Sequence, residues 1–376
     1  MSVSRRELLV RMAAFAGGAT SCASPDPGAS GDYDDAVRET WRGLDRGAAR
    51  GSEASLQLEW VRQATLAASS HNTQCWRFQL GDRRITIIPD FSRRCPAVDP
   101  DDHHLFVSLG CAAENLVLAA AASGFEADVA AESDGTISVS FAPRAPAHSI
   151  LFEAIPRRQS ARVEYDGRPL SSEELGALET AAAGAAHTEA HTGHVDVAIL
   201  SGADRLEPIL ELIVEANTAQ IADEAFVREL KDWIRFSEAE ALRKRDGLFT
   251  RTTGNPAVPR WIGSLFFDVA FRASGENDKI VRQLRSSAGV AVFTGADADP
   301  AHWIDVGRSS QRFALQAAAL DVRTAFLNQP VEVARLRPEL AGLLGLGARR
   351  PDLVVRFGRG PAMPRSLRRS VESVLV

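Results

Sequence analysis

The chain has 376 residues, 45% of them hydrophobic, with 43 Lys plus Arg against 49 Asp plus Glu and a formal net charge of -6. That is enough apolar material for one large domain or two intimate halves, and the mildly acidic balance argues against nucleic acid held over a whole face. The four cysteines, Cys22, Cys75, Cys95 and Cys111, make no C-x-x-C pair and have no matched histidine spacing, so the sequence supports neither a metal site nor a disulfide framework.

The chain opens Ser4-Arg5-Arg6-Glu7-Leu8-Leu9, followed by a weakly apolar stretch from Val10 to Thr20 that Arg11, Gly17 and Gly18 interrupt. The stretch is too short and too broken to span a bilayer, whereas paired arginines ahead of a modest apolar run suit a twin-arginine export signal over residues 1–30. The expected destination is outside the cytoplasmic membrane. Ala19-Thr20-Ser21-Cys22 weakly matches a lipoprotein cleavage box, so Cys22 reads equally well as a lipid anchor or as a spectator thiol. Pro, Gly, Ser and Asp are dense from Ala23 to Gly51, which predicts a tether or loose arm, with residues 31–54 as a linker.

In the first half, residues 55–150, the pattern predicts a helix from Leu56 to Ala67, a polar loop, a strand from Trp76 to Leu80 and its hairpin partner from Ile85 to Pro89. An Ala-rich helix follows over Ser108–Ala122, with Gly110 near its start. In the second half, residues 151–376, Ser171 with Glu174 three residues on predicts a capped helix over Ser172–Ala183, then a strand over Val195–Ser201. A long insertion, 217–273, carries an amphipathic pattern through Leu230, Trp233, Ile234 and Phe236 and a turn-rich run from Arg251 to Pro259. It reads as a lid or as a surface-packed helical pair. A second Ala-rich helix, Ile304–Ala319 with Gly307, and a strand over Asp352–Phe357 complete the chain. Glycine opening an Ala-rich helix in each half predicts two related units, each with a central helix, in an α+β sandwich.

Two polar segments carry the chemistry. Ser69-Ser70-His71-Asn72-Thr73-Gln74-Cys75-Trp76 supplies hydroxyls and amides that can bond a polyol chain or a heteroaromatic edge without net charge. Within it, His71 reads as a local hydrogen-bonder, and Trp76 and Phe78 as strand packing. Arg157-Arg158-Gln159-Ser160-Ala161-Arg162 clusters guanidiniums around a hydroxyl, a set that grips phosphate by bidentate bonds or that faces solvent as an ordinary basic turn.

Together these segments resemble the FMN-dependent nitroreductases. The first is similar to that family's Pro-Ser-Ser-x-Asn-x-Gln-Pro-Trp loop, although Ala68 and Cys75 stand where the family usually has proline. The second is similar to its Arg-x-Ser-x-Arg arm. The resemblance implies FMN contacts from Ser69, Ser70, Asn72 and Gln74, from Arg158, Gln159, Ser160 and Arg162, from Leu327 and Asn328 in Phe326-Leu327-Asn328-Gln329-Pro330, and from Arg365 and Arg368 near the C-terminus. In homodimeric members the loop and the arm come from different subunits. Here they come from different halves of one chain, which implies a fused, monomeric pseudo-dimer with one complete site, like the tandem (Acg-type) branch. The implied activity is hydride reduction of a small nitroaromatic or quinone-like acceptor, with NAD(P)H or another donor and no catalytic side chain. The rival expectation is a protein that holds flavin without turnover.

Overall fold

The computed structural model describes residues 27–45, 52–184 and 194–376, so the paired arginines and Cys22 lie outside the described residues. It is a mixed helix-and-sheet structure. The helices that frame the sheets and the site are α1 (Pro27–Thr40), α2 (Glu53–Thr65), α3 (His103–Ala122), α4 (Ser172–Ala183), α5 (Ala203–Ala222), α6 (Glu224–Trp233), α7 (Glu238–Lys244), α8 (Arg260–Ala270), α9 (Ala273–Arg285) and α10 (Pro300–Ala319).

Two four-stranded antiparallel sheets flank the central helices. The first contains β1 (Trp76–Gly81), β2 (Arg84–Pro89), β3 (Phe125–Ala131) and β4 (Ile137–Pro143) in the order β1-β2-β4-β3. The second contains β5 (Asp196–Leu200), β6 (Gly289–Thr294), β7 (Arg323–Phe326) and β8 (Leu353–Gly358) in the order β5-β6-β8-β7. Both sheets therefore follow one topological scheme, and each half places a 20-residue helix between its second and third strands. In the first sheet one face is apolar: Trp76 and Phe78 point inward from β1, Phe78 lies opposite Ile87, and Ile85 and Ile87 are fully buried. That alternation is what made the hairpin readable. In the second sheet every residue of β6 and β8 is buried, so no alternation marks them.

The core is organised around the crossing of α3 and α10. Gly110 and Gly307 are each the eighth residue of their helix, and they do not begin the helices as the sequence had suggested. A Cβ built on Gly110 would lie 2.0 Å from the Ile304 carbonyl oxygen, and one built on Gly307 would lie 2.1 Å from that of Val107. The contact is reciprocal, each glycine meeting the residue three before the other. Backbone touches backbone, which only glycine permits. Glu114, buried on α3, fixes the pairing through Arg308 (3.1 Å) and Arg312 (2.8 Å), and Gln311 Nε2 donates to Asn115 Oδ1 at 2.8 Å. Although α3 is long and apolar enough to cross a membrane, 89% of that stretch is buried inside the protein, which is the mark of a core helix.

Several elements differ from expectation. The stretch from Ala23 to Gly51, expected as a loose arm, contains α1, whose Tyr33 is buried against Phe249 and Leu367. Tyr33, Val37 and Trp41 recur at helical spacing, but the Gly, Ser, Pro and Asp around them hid the pattern. The insertion is broader than 217–273, since α5 to α9 all fall between β5 and β6. Its amphipathic helix ends at Trp233; Ile234 and Arg235 instead form a short parallel ladder with Leu248 and Phe249. The helix over Ser172–Ala183 has the predicted bounds, and Ser171 with Glu174 makes a complete capping box.

Candidate functional site

The polar loop after α2 is unusual backbone. His71, Asn72 and Gln74 all have positive φ, at 47°, 53° and 54°, a conformation that costs non-glycine residues energy and that the surroundings must impose. Asn72 N–H donates to Ser69 O, Thr73 N–H to Ser70 O and Gln74 N–H to Ser69 Oγ, while Ser70 N–H reaches Ser108 Oγ on α3. The side chains complete the clamp. Asn72 Nδ2 donates to Gly247 O and Leu367 O, Gln74 Nε2 donates to Arg245 O, and Gln74 Oε1 accepts from Arg369 N–H. The insertion and the C-terminal tail thus hold the loop.

The arginine arm is anchored from below by Arg356 of β8, which is 0% exposed. Its guanidinium donates to the carbonyls of Ala161, Val163 and Gln283 and lies 4.1 Å from the Tyr165 ring centroid. Along the arm, Gln159 exchanges hydrogen bonds with the Met363 backbone, tying arm to tail. Arg158 donates to Leu66 O, and Arg368 donates to Thr65 O and Ala67 O, so both satisfy carbonyls where α2 ends and oppose its dipole. Arg365 donates to the carbonyls of Arg157 and Arg158. Trp41 lies against both tail arginines, with ring centroids 4.5 Å from Arg365 and 4.9 Å from Arg368, and its indole N–H donates to Ser366 O.

Arg158, Arg162, Arg365 and Arg368 line a small cavity of about 80 Å³ with Ser69, Asn72, Gln159 and Ser160, and no acidic residue is among its lining. Burial lowers the Arg158 guanidinium to about 10, and burial together with neighbouring arginines lowers Arg365 to about 10 and Arg368 to about 9. All three stay charged at neutral pH. Two buried atoms here have no hydrogen-bond partner among the described residues, Arg158 Nε and Asn72 Oδ1. Crowded like charges with unpaired donors are costly unless an anion joins them.

This cavity adjoins a larger one of about 280 Å³, the two sharing Ala68, Ser69, Arg162, Leu248 and Phe326. Ser70, His71, Ser108, Asn217 and Asn328 add polar atoms to its wall, and Phe326, Val107 and Leu353 add apolar ones. Burial, then the charge of Arg162, lowers the His71 imidazole to about 4. A third, mainly apolar cavity of about 500 Å³ lies under α8 and shares Arg162, Leu230, Phe271 and Glu276 with the second. The insertion therefore walls the site.

Ten of the twelve expected site residues line the two joined cavities. Gln74 does not: it is fully buried, and its amide is spent on backbone. Leu327 does not either, because its alternation in the chain turns it into the second sheet's core while Phe326 and Asn328 face the cavity. His71 is the local hydrogen-bonder expected, its Nδ1 lying 3.4 Å from Ser70 Oγ, and it also faces the larger cavity. Sequence reasoning missed Trp41, hidden in the supposed linker, and Gly247 and Thr252 in the insertion. No short motif marks any of the three.

No family model matches the chain. Among curated proteins, it is 26% identical over 327 residues to two from Mycobacterium tuberculosis strains, "Putative NAD(P)H nitroreductase" MT3217 and Rv3131, covering 83% of this chain and 88% of each relative. Similarity to solved structures is low. A Bacteroides fragilis nitroreductase with bound FMN has 15% identity and a TM-score of 0.36, over 58% of this chain and 95% of that one. The FMN-dependent nitroreductase NfnB of Mycobacterium smegmatis, in complex with NADPH, has 16% identity and a TM-score of 0.36, over 57% of this chain and 95% of that one.

Proposed function

We propose that the chain is an FMN-binding oxidoreductase of the nitroreductase type whose single site lies between two fused halves. The observation that carries the reading is the acid-free cavity with four arginines, joined to a larger mixed chamber beside the Ser69–Asn72 loop. FMN has matching parts, a dianionic phosphate, a polar ribityl chain and a flat ring. Arg365, Arg158 and Arg162 with Ser160 would hold the phosphate, and Ser69, Ser70 and Asn72 the ribityl chain and ring edge. Arg368 would act mainly through its grip on the end of α2. Bound flavin would supply reversible hydride transfer, and the chain's part is to position the ring, tune it and control access. Among titratable groups on the chamber wall, His71 is held neutral and is suited to hydrogen-bonding an acceptor rather than to attracting it by charge.

The shared strand order and the reciprocal glycine contact support a pseudo-dimer, with the loop from one half and the arm from the other. The names of the mycobacterial relatives support NAD(P)H as donor. Arg5 and Arg6 support export, and a twin-arginine route would carry the chain already folded around its cofactor. Anaerobic mixing of the FMN-loaded protein with NADPH or NADH, followed by flavin absorbance, tests the reading. Bleaching, then recovery with a nitroaromatic or quinone, is expected; reduction by dithionite alone would leave a flavin-holding protein, and failure to retain FMN would refute the site itself.

A further inference from the structure

At the start of α3, away from the arginines, two adjacent imidazoles are buried among carboxylates. His103 and His104 are 1% and 4% exposed, with ring centroids 4.4 Å apart. Asp99, Asp101, Glu332 and Asp352 face them, against Arg337 and Arg350 among the described residues; both of these arginines pair with Asp101, and Arg350 Nε also lies 3.9 Å from Asp352 Oδ1. The remaining three carboxylates share one arrangement. Each has one oxygen fixed by a hydrogen bond: Asp99 Oδ2 from Leu105 N–H, Glu332 Oε2 from Gln220 Nε2, and Asp352 Oδ2 from Gly295 N–H. The other oxygen of each faces an imidazole nitrogen. His104 Nδ1 is 4.0 Å from Asp99 Oδ1 and 3.8 Å from Glu332 Oε1, and His103 Nε2 is 3.3 Å from Asp352 Oδ1.

None of these pairs is a hydrogen bond. Both ring nitrogens of His104, Nε2 of His103 and Oδ1 of Asp352 are buried without a hydrogen-bond partner among the described residues. Nε2 of His103 and Oδ1 of Asp352 face each other, so it is the two ring nitrogens of His104 that point to a missing partner, since buried polar atoms are rarely left so. A cation bonded at about 2.0–2.2 Å to nitrogen and oxygen holds its ligand atoms roughly 3–4 Å apart. One ligand atom from each of Asp99, His103 and His104 lies within 4.8 Å of the others. The excess of carboxylates over guanidiniums in this buried cluster also favours a dication.

We propose that Asp99, His103 and His104 bind one first-row divalent transition-metal ion, with Glu332 beside it at the wall of the larger cavity. Two imidazoles and a carboxylate suit such ions better than magnesium or calcium, which prefer all-oxygen shells. Asp352 opposite His103 is the carboxylate–imidazole pairing that orients metal-bound histidines. Because His104 and Glu332 line the larger cavity, the ion would fix the wall facing the acceptor. The site stands whether or not FMN binds next door.

The test uses the full chain, stripped with EDTA, washed and titrated with Zn²⁺ by calorimetry, with metal content read by mass spectrometry and flavin content read separately. One equivalent of zinc per chain is expected, with affinity falling at least about tenfold in Asp99→Asn and in His104→Asn. Co²⁺ added to the wild type should give the intense absorption of a four- or five-coordinate nitrogen–oxygen site. Should either variant fail to fold, that wild-type spectrum decides alone. A spectrum like hydrated Co²⁺, or zinc binding unchanged in folded variants, overturns the proposal.

Discussion

Replacing Gly307 by alanine would place one methyl group where the two central helices touch. Its Cβ would lie 2.1 Å from the Val107 carbonyl oxygen, 2.9 Å from the Val107 carbonyl carbon and 3.0 Å from Gly110 Cα. All three are backbone atoms, so no rotamer change relieves the overlap. Ordinary contact begins near 3.4 Å, so α10 and α3 must separate by roughly 1.3 Å along that direction, a shift that close-packed interiors resist. Overpacking costs about 1–3 kcal/mol, and contact with backbone puts this case at about 3 kcal/mol. Helix propensity returns at most about 1 kcal/mol of that, since alanine suits a helix better than glycine. The net loss, about 2 kcal/mol, corresponds to a fall in Tm of about 2–3 °C for a chain of 376 residues. Thermal melts followed by circular dichroism measure it. A Gly307→Ala protein that melts within about 1 °C of wild type would refute the account of the crossing. Gly110→Ala should cost a similar amount, and the double variant less than the sum, because one separation relieves both clashes.

The tail arginines separate binding from folding. Arg365→Ala removes a guanidinium that lines the small cavity and should raise the Kd for FMN about 10–100-fold, read by quenching of flavin fluorescence, with a smaller fall in Tm than Arg368→Ala because its bond to the Arg157 carbonyl is solvent-exposed. Arg368→Ala, by contrast, frees the Thr65 and Ala67 carbonyls and should lower Tm even without flavin. His71 is neutral in the folded protein because burial and Arg162 lower it to about 4, while the unfolded chain protonates at about 6.5. This group's contribution to stability is therefore present above about 6.5 and lost as pH falls toward about 4. Melts across that range should show Tm of wild type falling relative to His71→Gln as the solution is acidified; parallel curves would contradict the burial of a neutral imidazole. Cys75, Cys95 and Cys111 are buried and unpaired with one another, and burial raises Cys75 to about 11 and Cys111 to about 12. Native protein should leave all three unlabelled by a thiol reagent that modifies them on unfolding, as peptide mass spectrometry would report.

Much of the site was legible because its parts are local. The Ser69–Trp76 loop and the Arg158–Arg162 arm are short polar runs beside readable elements, and their chemistry survives without knowledge of the fold. The β1–β2 hairpin was visible because Trp76, Phe78, Ile85 and Ile87 alternate on one buried face. β6 and β8 lack that signal because both faces are covered, although the Leu353–Phe357 run was apolar enough to be seen. Gln74 and Leu327 misled for opposite reasons. Gln74 has the right chemistry, but Arg245 O and Arg369 N–H consume it. Leu327 sits in the right segment on the wrong side of the chain. The buried imidazoles escaped notice because His103 and His104 gain their carboxylate neighbours from positions as distant as Glu332 and Asp352.

The cationic cavity has a consequence for the order of events during synthesis. Its lining comes from Trp41, from Ser69 and Asn72, from the 158–162 arm and from the 364–368 tail. The first of these leaves the ribosome some three hundred residues before the last. No partial chain can assemble the anion-gripping set, and a fragment that stops before Arg365 keeps the polar loop but lacks both guanidiniums against the Trp41 ring. If FMN fills this cavity as proposed, its capture must follow synthesis of Arg368 and the meeting of the 364–368 tail with Trp41.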